Sequence, residues 1–227
     1  MEYAYIASNA LTFLIWLILY FRRPDLRNMM IVASLCALPL ALFDLIFVPT
    51  YWKPVTLFNI PIGIEGFLYS FSVGGIAAGL YPTWSGRNLQ PIATKHLPTL
   101  HTISILLLTL VTFLLVCTIG VNPVIAAYVA ITLGVACTVF TRKDLFRSAI
   151  FDALYFGIVY FIFLKLWVTI FPDVHSWFTF QGLPQFFIWS VPGWEALYGF
   201  FFGAFWANIY ELLFGFRFVR PSDALKS

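Results

Sequence analysis

Charge is scarce in this chain. Of 227 residues only 10% are Asp, Glu, Lys or Arg, against 61% hydrophobic residues and a mean hydropathy of +0.90. A soluble globular domain carries about 25% charged residues, so a fold with a fully solvated surface is excluded. Cysteine is also sparse. Cys36, Cys117 and Cys137 sit singly in apolar stretches without CxxC spacing and read as small core residues. His96, His101 and His175 fall in connecting segments without ligand spacing, so neither a metal site nor a cofactor is expected. The alternating ten-residue segments of a transmembrane barrel are missing. No basic residue precedes the first apolar stretch, as a cleaved signal peptide would require, and that stretch is read as a retained span.

What the chain has in quantity is apolar length. Seven segments, 3–21, 29–48, 60–81, 100–120, 123–140, 149–171 and 188–214, each approach the ~20 residues that cross about 30 Å of hydrocarbon as a helix. Backbone polar groups in lipid must be satisfied within the segment, which makes helices the default. The expected fold is an all-α bundle of seven transmembrane helices forming one membrane domain, a multi-pass protein of the cell membrane. The break between the fourth and fifth spans is read as a hairpin turn at Gly120-Val121-Asn122-Pro123.

The 13 Lys and Arg residues are unevenly placed. Arg22, Arg23, Arg27, Arg87, Lys95, Arg142, Lys143, Arg147, Arg217, Arg220 and Lys226 all fall on one side of this topology. Lys53 is on the other side and Lys165 is within a span. The positive-inside rule then gives an N-out, C-in orientation. The net charge of +3 follows from this bias, and nucleic acid is not implied as a partner.

The halves share landmarks. Arg23-Pro24-Asp25-Leu26 precedes span two and Arg142-Lys143-Asp144-Leu145 precedes span six. In each half an outer loop rich in Trp and Pro follows: Pro49, Trp52 and Pro54 in the first, Pro172, Trp177 and Pro184 in the second. Each loop leads to a helix start with a proline and a glutamate, Pro61-Ile62-Gly63-Ile64-Glu65 and Pro192-Gly193-Trp194-Glu195. These landmarks predict two parallel three-helix repeats, 1–81 and 122–216, joined by a loop and linker helix over 82–121 and followed by a cytoplasmic tail, 217–227. Sites in such folds lie between the repeats.

Ionisable residues in hydrocarbon are functional candidates. Glu65 and Glu195 are expected in one outer layer with Asp44 and Lys165, Glu65 about five residues or ~8 Å into its helix. Lys165 reads either as a counter-charge tying helices together or as a group tuning a carboxylate. One carboxyl kept protonated and another kept ionised would supply an acid and a base in a single pocket. Asp152 and Glu211 lie near the inner ends, where pairing with Arg147 and Arg217 is the plain expectation. Small residues after each glutamate, Gly75 to Gly79 and Gly199 to Gly203, suit close helix packing. Aromatic side chains, 20% of the chain, serve the membrane interface, and some would line an apolar cavity and stabilise a cation.

These landmarks resemble the membrane lycopene cyclase domain of carotenoid biosynthesis, whose two three-helix units each open a helix with Pro-x-Glu-Glu, often with Tyr-Glu near the helix end. Residues 59–81 look like the first copy and 191–212 like the second, with Tyr210-Glu211 as the trailing pair. The paired acid is single in both: Gly66 follows Glu65 and Ala196 follows Glu195. The resemblance implies a redox-neutral, proton-initiated cyclisation of an acyclic carotenoid end by an intramolecular lyase or isomerase. Glu65 and Glu195 would be acid and base, supported by Asp44, Lys165, Tyr69, Tyr198 and Glu211. A hydrophobic polyene and the lipid bilayer are the expected partners, and homo-oligomerisation is left open. A proton-coupled small-solute transporter built from parallel three-helix repeats is the alternative, and so is a non-catalytic carotenoid- or retinal-binding protein, with Lys165 as the attachment point in the retinal case.

Overall fold

The computed structural model describes residues 3–60, 62–92 and 98–219. Pro61, Lys95, His96, Arg220 and Lys226 lie outside the described residues, as does most of the expected tail. Helices dominate. Helix α1, Ala4–Arg22, buries Tyr5, Asn9, Thr12, Trp16 and Leu19, a spacing that lays one stripe of the helix against the bundle. Pro24 ends α1 in a 3-10 turn, Pro24–Leu26, whose Leu26 is fully buried.

The second span is interrupted. Helix α2, Arg27–Ala37, gives way to a 3-10 stretch, Leu38–Phe43, and then to α3, Asp44–Thr50. Pro39 is in the first positions of the 3-10 stretch, where a missing N–H and a fixed φ favour tighter winding over a continuous helix. The break sets Asp44 at the head of α3.

Helix α4, Ile64–Ser85, starts four residues later than expected, so Glu65 is its second residue and sits in the first turn. The extended Gly63 (φ −89°, ψ 166°) marks the boundary. At the other end Gly86 caps the helix in the left-handed conformation (φ 62°), which glycine adopts without a Cβ penalty. Strand β1, Asn88–Pro91, follows.

Helices α5, Pro98–Thr118, and α6, Pro123–Thr141, form a hairpin across the expected break. There Gly120 has φ 85° and the Asn122 side chain accepts a hydrogen bond from the Val124 N–H at 2.8 Å, an N-cap followed by Pro at N1. A 3-10 turn, Lys143–Leu145, leads into α7, Phe146–Ile170. Residues from 188 onward, expected to be helical, instead include a short hairpin of β2, Phe187–Ile188, and β3, Val191–Pro192. Its turn residues Trp189 and Ser190 both have positive φ, the geometry of a type I′ connection. Helix α8, Gly193–Trp206, therefore starts later, and Glu195 is in its first turn. It breaks at Ala207–Asn208, resumes as α9, Ile209–Phe214, and ends at Gly215 (φ 70°) before β4, Phe216–Val219.

Six of these segments are long and apolar enough to cross a membrane: Ala4–Arg22, Pro24–Val48, Thr99–Thr118, Pro123–Thr141, Lys143–Ile170 and Gly193–Phe214. The protein is an all-α, multi-pass membrane bundle. Helix α4 carries Glu65, Ser70, Ser72 and several glycines and is less apolar, yet it lies inside the bundle against α1, α2, α7 and α8. Close approach there depends on missing side chains. A Cβ at Gly74 would meet Ala37, and one at Gly75 would meet Trp16 and Ser34.

The two ends of the bundle are tied differently. At one end β1 pairs antiparallel with β4, with Gln90 opposite Arg217. Here Arg23 chelates Asp25 (2.9 and 2.7 Å) and donates to the carbonyls of Pro82 (2.7 Å) and Arg87 (2.8 Å). Arg142 does the same with Asp144 (2.9 and 2.7 Å) and the carbonyls of Glu211 (3.1 Å) and Phe216 (2.8 Å). At the opposite end the two Trp- and Pro-rich loops pair with each other. The Lys53 N–H donates to the Trp177 carbonyl and the Thr179 N–H to the Tyr51 carbonyl, both at 2.7 Å.

Candidate functional site

Between the halves lies an aromatic cavity of about 300 Å³. Its walls come from both sequence halves: Tyr5 and Asn9 of α1, Asp44 and Phe47 of α3, Tyr51 and Trp52 of the first loop, Gly66, Tyr69 and Val73 of α4, Phe113 of α5, Tyr128 of α6, Tyr160 and Trp167 of α7, and Glu195, Tyr198, Phe202 and Trp206 of α8. A volume of this order suits a small ligand or one end of a long one. Among the described residues two carboxyls line it, Asp44 and Glu195. Such groups in an apolar enclosure are costly to bury unless hydrogen-bonded.

Glu195 is hydrogen-bonded. The Tyr160 hydroxyl donates to its Oε2 at 3.1 Å, and the Tyr160 and Tyr69 hydroxyls are 2.6 Å apart. A chain of hydroxyls therefore runs from α4 through α7 to the carboxyl on α8. Tyr51, 4% exposed, lines the same cavity, and among the described residues its hydroxyl has no hydrogen-bond partner. The Tyr198 ring packs edge-on to Tyr160 and stacks on Phe202, with centroids 5.8 and 5.4 Å apart. Tyr128 donates to the backbone carbonyl of Trp194 and so pins the first turn of α8.

Asp44 lies against the backbone of α4. One of its carboxyl oxygens is 2.8 Å from the position a Cβ on Gly66 would take, and the Tyr5 hydroxyl is 3.9 Å from that same point. Only a residue without a side chain leaves room for the carboxyl there.

Glu65 is placed differently from its expected partner. It is fully buried but does not line the cavity. Its Oε1 accepts from the Leu57 N–H at 2.6 Å, and a Cβ at Gly63 would run into its Oε2. The side chain folds back over the loop that precedes α4, while its backbone carbonyl accepts from Asn9 Nδ2 at 3.0 Å. The structure therefore brings Glu195, Asp44, Tyr69 and Tyr198 together and leaves Glu65 behind the wall.

Lys165 is half-buried on α7, away from the cavity lining. The ion pairs of the described residues are Arg23–Asp25 and Arg142–Asp144. The expected pairing of Asp152 and Glu211 with Arg147 and Arg217 is not formed among them. Asp152 accepts from Asn208 Nδ2 at 3.3 Å, and the Arg147 guanidinium lies over the Phe151 ring at 5.8 Å. Glu211 is fully buried at the clamped end, outside the cavity lining.

Tyr51, Tyr128 and Tyr160 were not singled out by sequence, since eleven tyrosines and 26 phenylalanines make any one aromatic residue unremarkable. Tyr160 carried one usable signal: a hydroxyl in the middle of an apolar span needs a partner.

Comparison with known proteins bears on the half of the molecule that holds Tyr128, Tyr160, Glu195 and Tyr198. Residues 122–213 match the family described as lycopene cyclase. No curated protein and no solved structure matches the chain. The matched segment runs from the N-cap of α6 into α9 and contributes one wall of the cavity, with one of its two carboxyls. Residues 122–213 are a lycopene cyclase family domain within a multi-pass membrane protein.

Proposed function

We propose that this protein closes a ring at the end of an acyclic carotenoid by proton transfer, without net oxidation or reduction. The observation that carries the reading is Glu195, a carboxyl inside an aromatic cavity of about 300 Å³ and held by Tyr160 at 3.1 Å. In its acid form Glu195 gives a proton to the terminal carbon–carbon double bond of the polyene. The electron pair of a neighbouring double bond closes the six-membered ring and leaves a cation on the ring. The walls suit that intermediate, because aromatic faces stabilise a cation by roughly 0.5–2 kcal/mol each and an apolar enclosure keeps out water that would trap it. A carboxylate then takes a ring proton, the C–H electron pair becomes the ring double bond, and the product is an isomer of the substrate. The Tyr69–Tyr160 chain gives Glu195 a route to regain its proton.

In this reading α4 is the seventh span, and the end bearing Arg23, Arg142 and the β1–β4 pair faces the cytoplasm, as the basic residues there require. The cavity receives only the end of the substrate, and the remainder of the polyene lies among the helices or in lipid.

Expression in lycopene-accumulating cells tests the function. Conversion of lycopene to a product with cyclic ends is the expected outcome. Recovery of unchanged lycopene alone, with the protein present in the membrane fraction, would exclude cyclase activity.

A further inference from the structure

We infer that Asp44 is the second carboxyl of the reaction, the base that takes the ring proton, and that it stands in the place of a side chain at position 66, the counterpart of Glu195. The inference rests on the cyclase reading and adds the identity of the base.

It starts from contacts that recur between the halves. Arg23 holds Asp25 and the carbonyls of Pro82 and Arg87, and Arg142 holds Asp144 and the carbonyls of Glu211 and Phe216. Helices α1 and α6 have the same length, 19 residues, and each sends one side chain to the first turn of a glutamate-bearing helix. Asn9 of α1 donates to the Glu65 carbonyl, and Tyr128 of α6 to the Trp194 carbonyl. Asn9 and Tyr128 are separated in sequence by the same distance as Arg23 and Arg142. These are the contacts of two copies of one unit, related by an axis that passes between β1 and β4.

The copies fix a register for the two glutamate-bearing helices. One constant shift in numbering carries Tyr69 to Tyr198, Gly74 to Gly203, Tyr81 to Tyr210 and Gly86 to Gly215. Gly86 and Gly215 are both left-handed helix caps. The shift carries Pro82 to Glu211, as the arginine clamps require, and Glu65 to Trp194, as the Asn9 and Tyr128 bonds require. It then carries Gly66 to Glu195. The two glutamates are not counterparts, because the first copy has one more residue between its glutamate and the tyrosine that follows, Glu65 to Tyr69 against Glu195 to Tyr198.

In the first half the position equivalent to Glu195 thus has no side chain. Asp44 fills it from α3, with an oxygen 2.8 Å from the absent Cβ. Gly66, Asp44 and Glu195 all line the cavity, so each half supplies one carboxyl to a single enclosure. Two such groups meet the need of the reaction for an acid and a base. Glu195 gives the proton that starts ring closure. Asp44 takes one from the ring carbon beside the cation, and the C–H electron pair forms the double bond. One proton enters the substrate and one leaves, with no oxidant or reductant involved.

The test is a carboxyl relocation in lycopene-accumulating cells, with membrane yield and the thermal midpoint of the detergent-solubilised protein followed for each variant. D44A is expected to lose at least a hundredfold in cyclic product, and D44A/G66E to regain at least tenfold over D44A. Full activity in D44A, or no recovery in a D44A/G66E protein whose thermal midpoint equals that of wild type, overturns the inference. A wild-type protein that makes no rings overturns the cyclase reading and the assignment of a base with it. The displacement of a side chain at 66 by Asp44 is then still judged by stability. G66A should lower the thermal midpoint in the wild-type background but not in the D44A background, and an equal fall in both rejects it. If D44A/G66E does not accumulate, the same G66A comparison in the two backgrounds decides the placement, and D44N, which keeps the shape but cannot accept the proton, decides the role: retained activity in D44N overturns it.

Discussion

The Tyr160 hydroxyl donates a hydrogen bond to the Glu195 carboxyl at 3.1 Å and meets the Tyr69 hydroxyl at 2.6 Å. Tyr160 thereby connects a helix of the first half to the carboxyl of the second, in a cavity to which both contribute. A hydrogen bond contributes about 0.5–1.5 kcal/mol net, and about 1.5–3 kcal/mol where one partner is charged. Y160F is expected to slow cyclisation by roughly tenfold or more, at about 1.4 kcal/mol per factor of ten. Cyclic product formed per unit of membrane protein measures the effect, and an unchanged rate would detach the hydroxyl chain from the chemistry.

Glu195 itself allows a sharper expectation. E195Q preserves shape and an acceptor for Tyr160 but removes the transferable proton. General acid catalysis contributes roughly 10²–10⁴-fold, so the variant should accumulate in the membrane at the wild-type level while its cyclic product falls by at least about 10²-fold. Chromatography of the extracted carotenoids reads this directly.

Glu65 should behave otherwise. Its Oε1 holds the Leu57 N–H at 2.6 Å, and the side chain lies outside the cavity lining. E65A removes this part-buried hydrogen bond, a net loss of about 0.5–1.5 kcal/mol, and is expected to lower the thermal midpoint. E65Q keeps the acceptor oxygen and should retain much more activity than E195Q. Comparing the two glutamine variants side by side separates a brace from a proton donor.

The arginine clamps carry a structural prediction. Arg23 and Arg142 each bind an aspartate through two nitrogens and two carbonyls at the end of a helix or just beyond it. A planar five-donor fork makes these contacts together and an ammonium does not. R23K and R142K should therefore destabilise the solubilised protein nearly as much as R23A and R142A. Thermal midpoints of the four variants check this, and rescue by lysine would show that charge alone matters there.

The bundle was legible in sequence because lipid allows few solutions: long apolar segments must be helices. The hairpin at Gly120 and Asn122 was legible for a local reason, a left-handed glycine beside a proline-led N-cap. Helix starts after the Trp- and Pro-rich loops were less so. Residues 187–192 are as apolar as a span, and only the backbone turn at Trp189 and Ser190 makes them a hairpin. The break at Leu38–Phe43 had Pro39 as its signal, but a proline is compatible with a kinked continuous helix.

The sequence by itself determined the membrane class, the recurrence of Arg-x-Asp-Leu and the presence of rare acids in apolar surroundings, because each follows from composition or from short-range spacing. Tertiary structure alone decided which acids share a space. Glu65 and Glu195 look alike along the chain, yet one folds back over its own loop and the other lines the cavity. Asp44, far from both glutamates in sequence, arrives beside Gly66 because the Pro39 break redirects the second span and the missing Cβ leaves room. The direction of a side chain is set by the packing of distant helices against one another, and that information is not contained in any local window of residues.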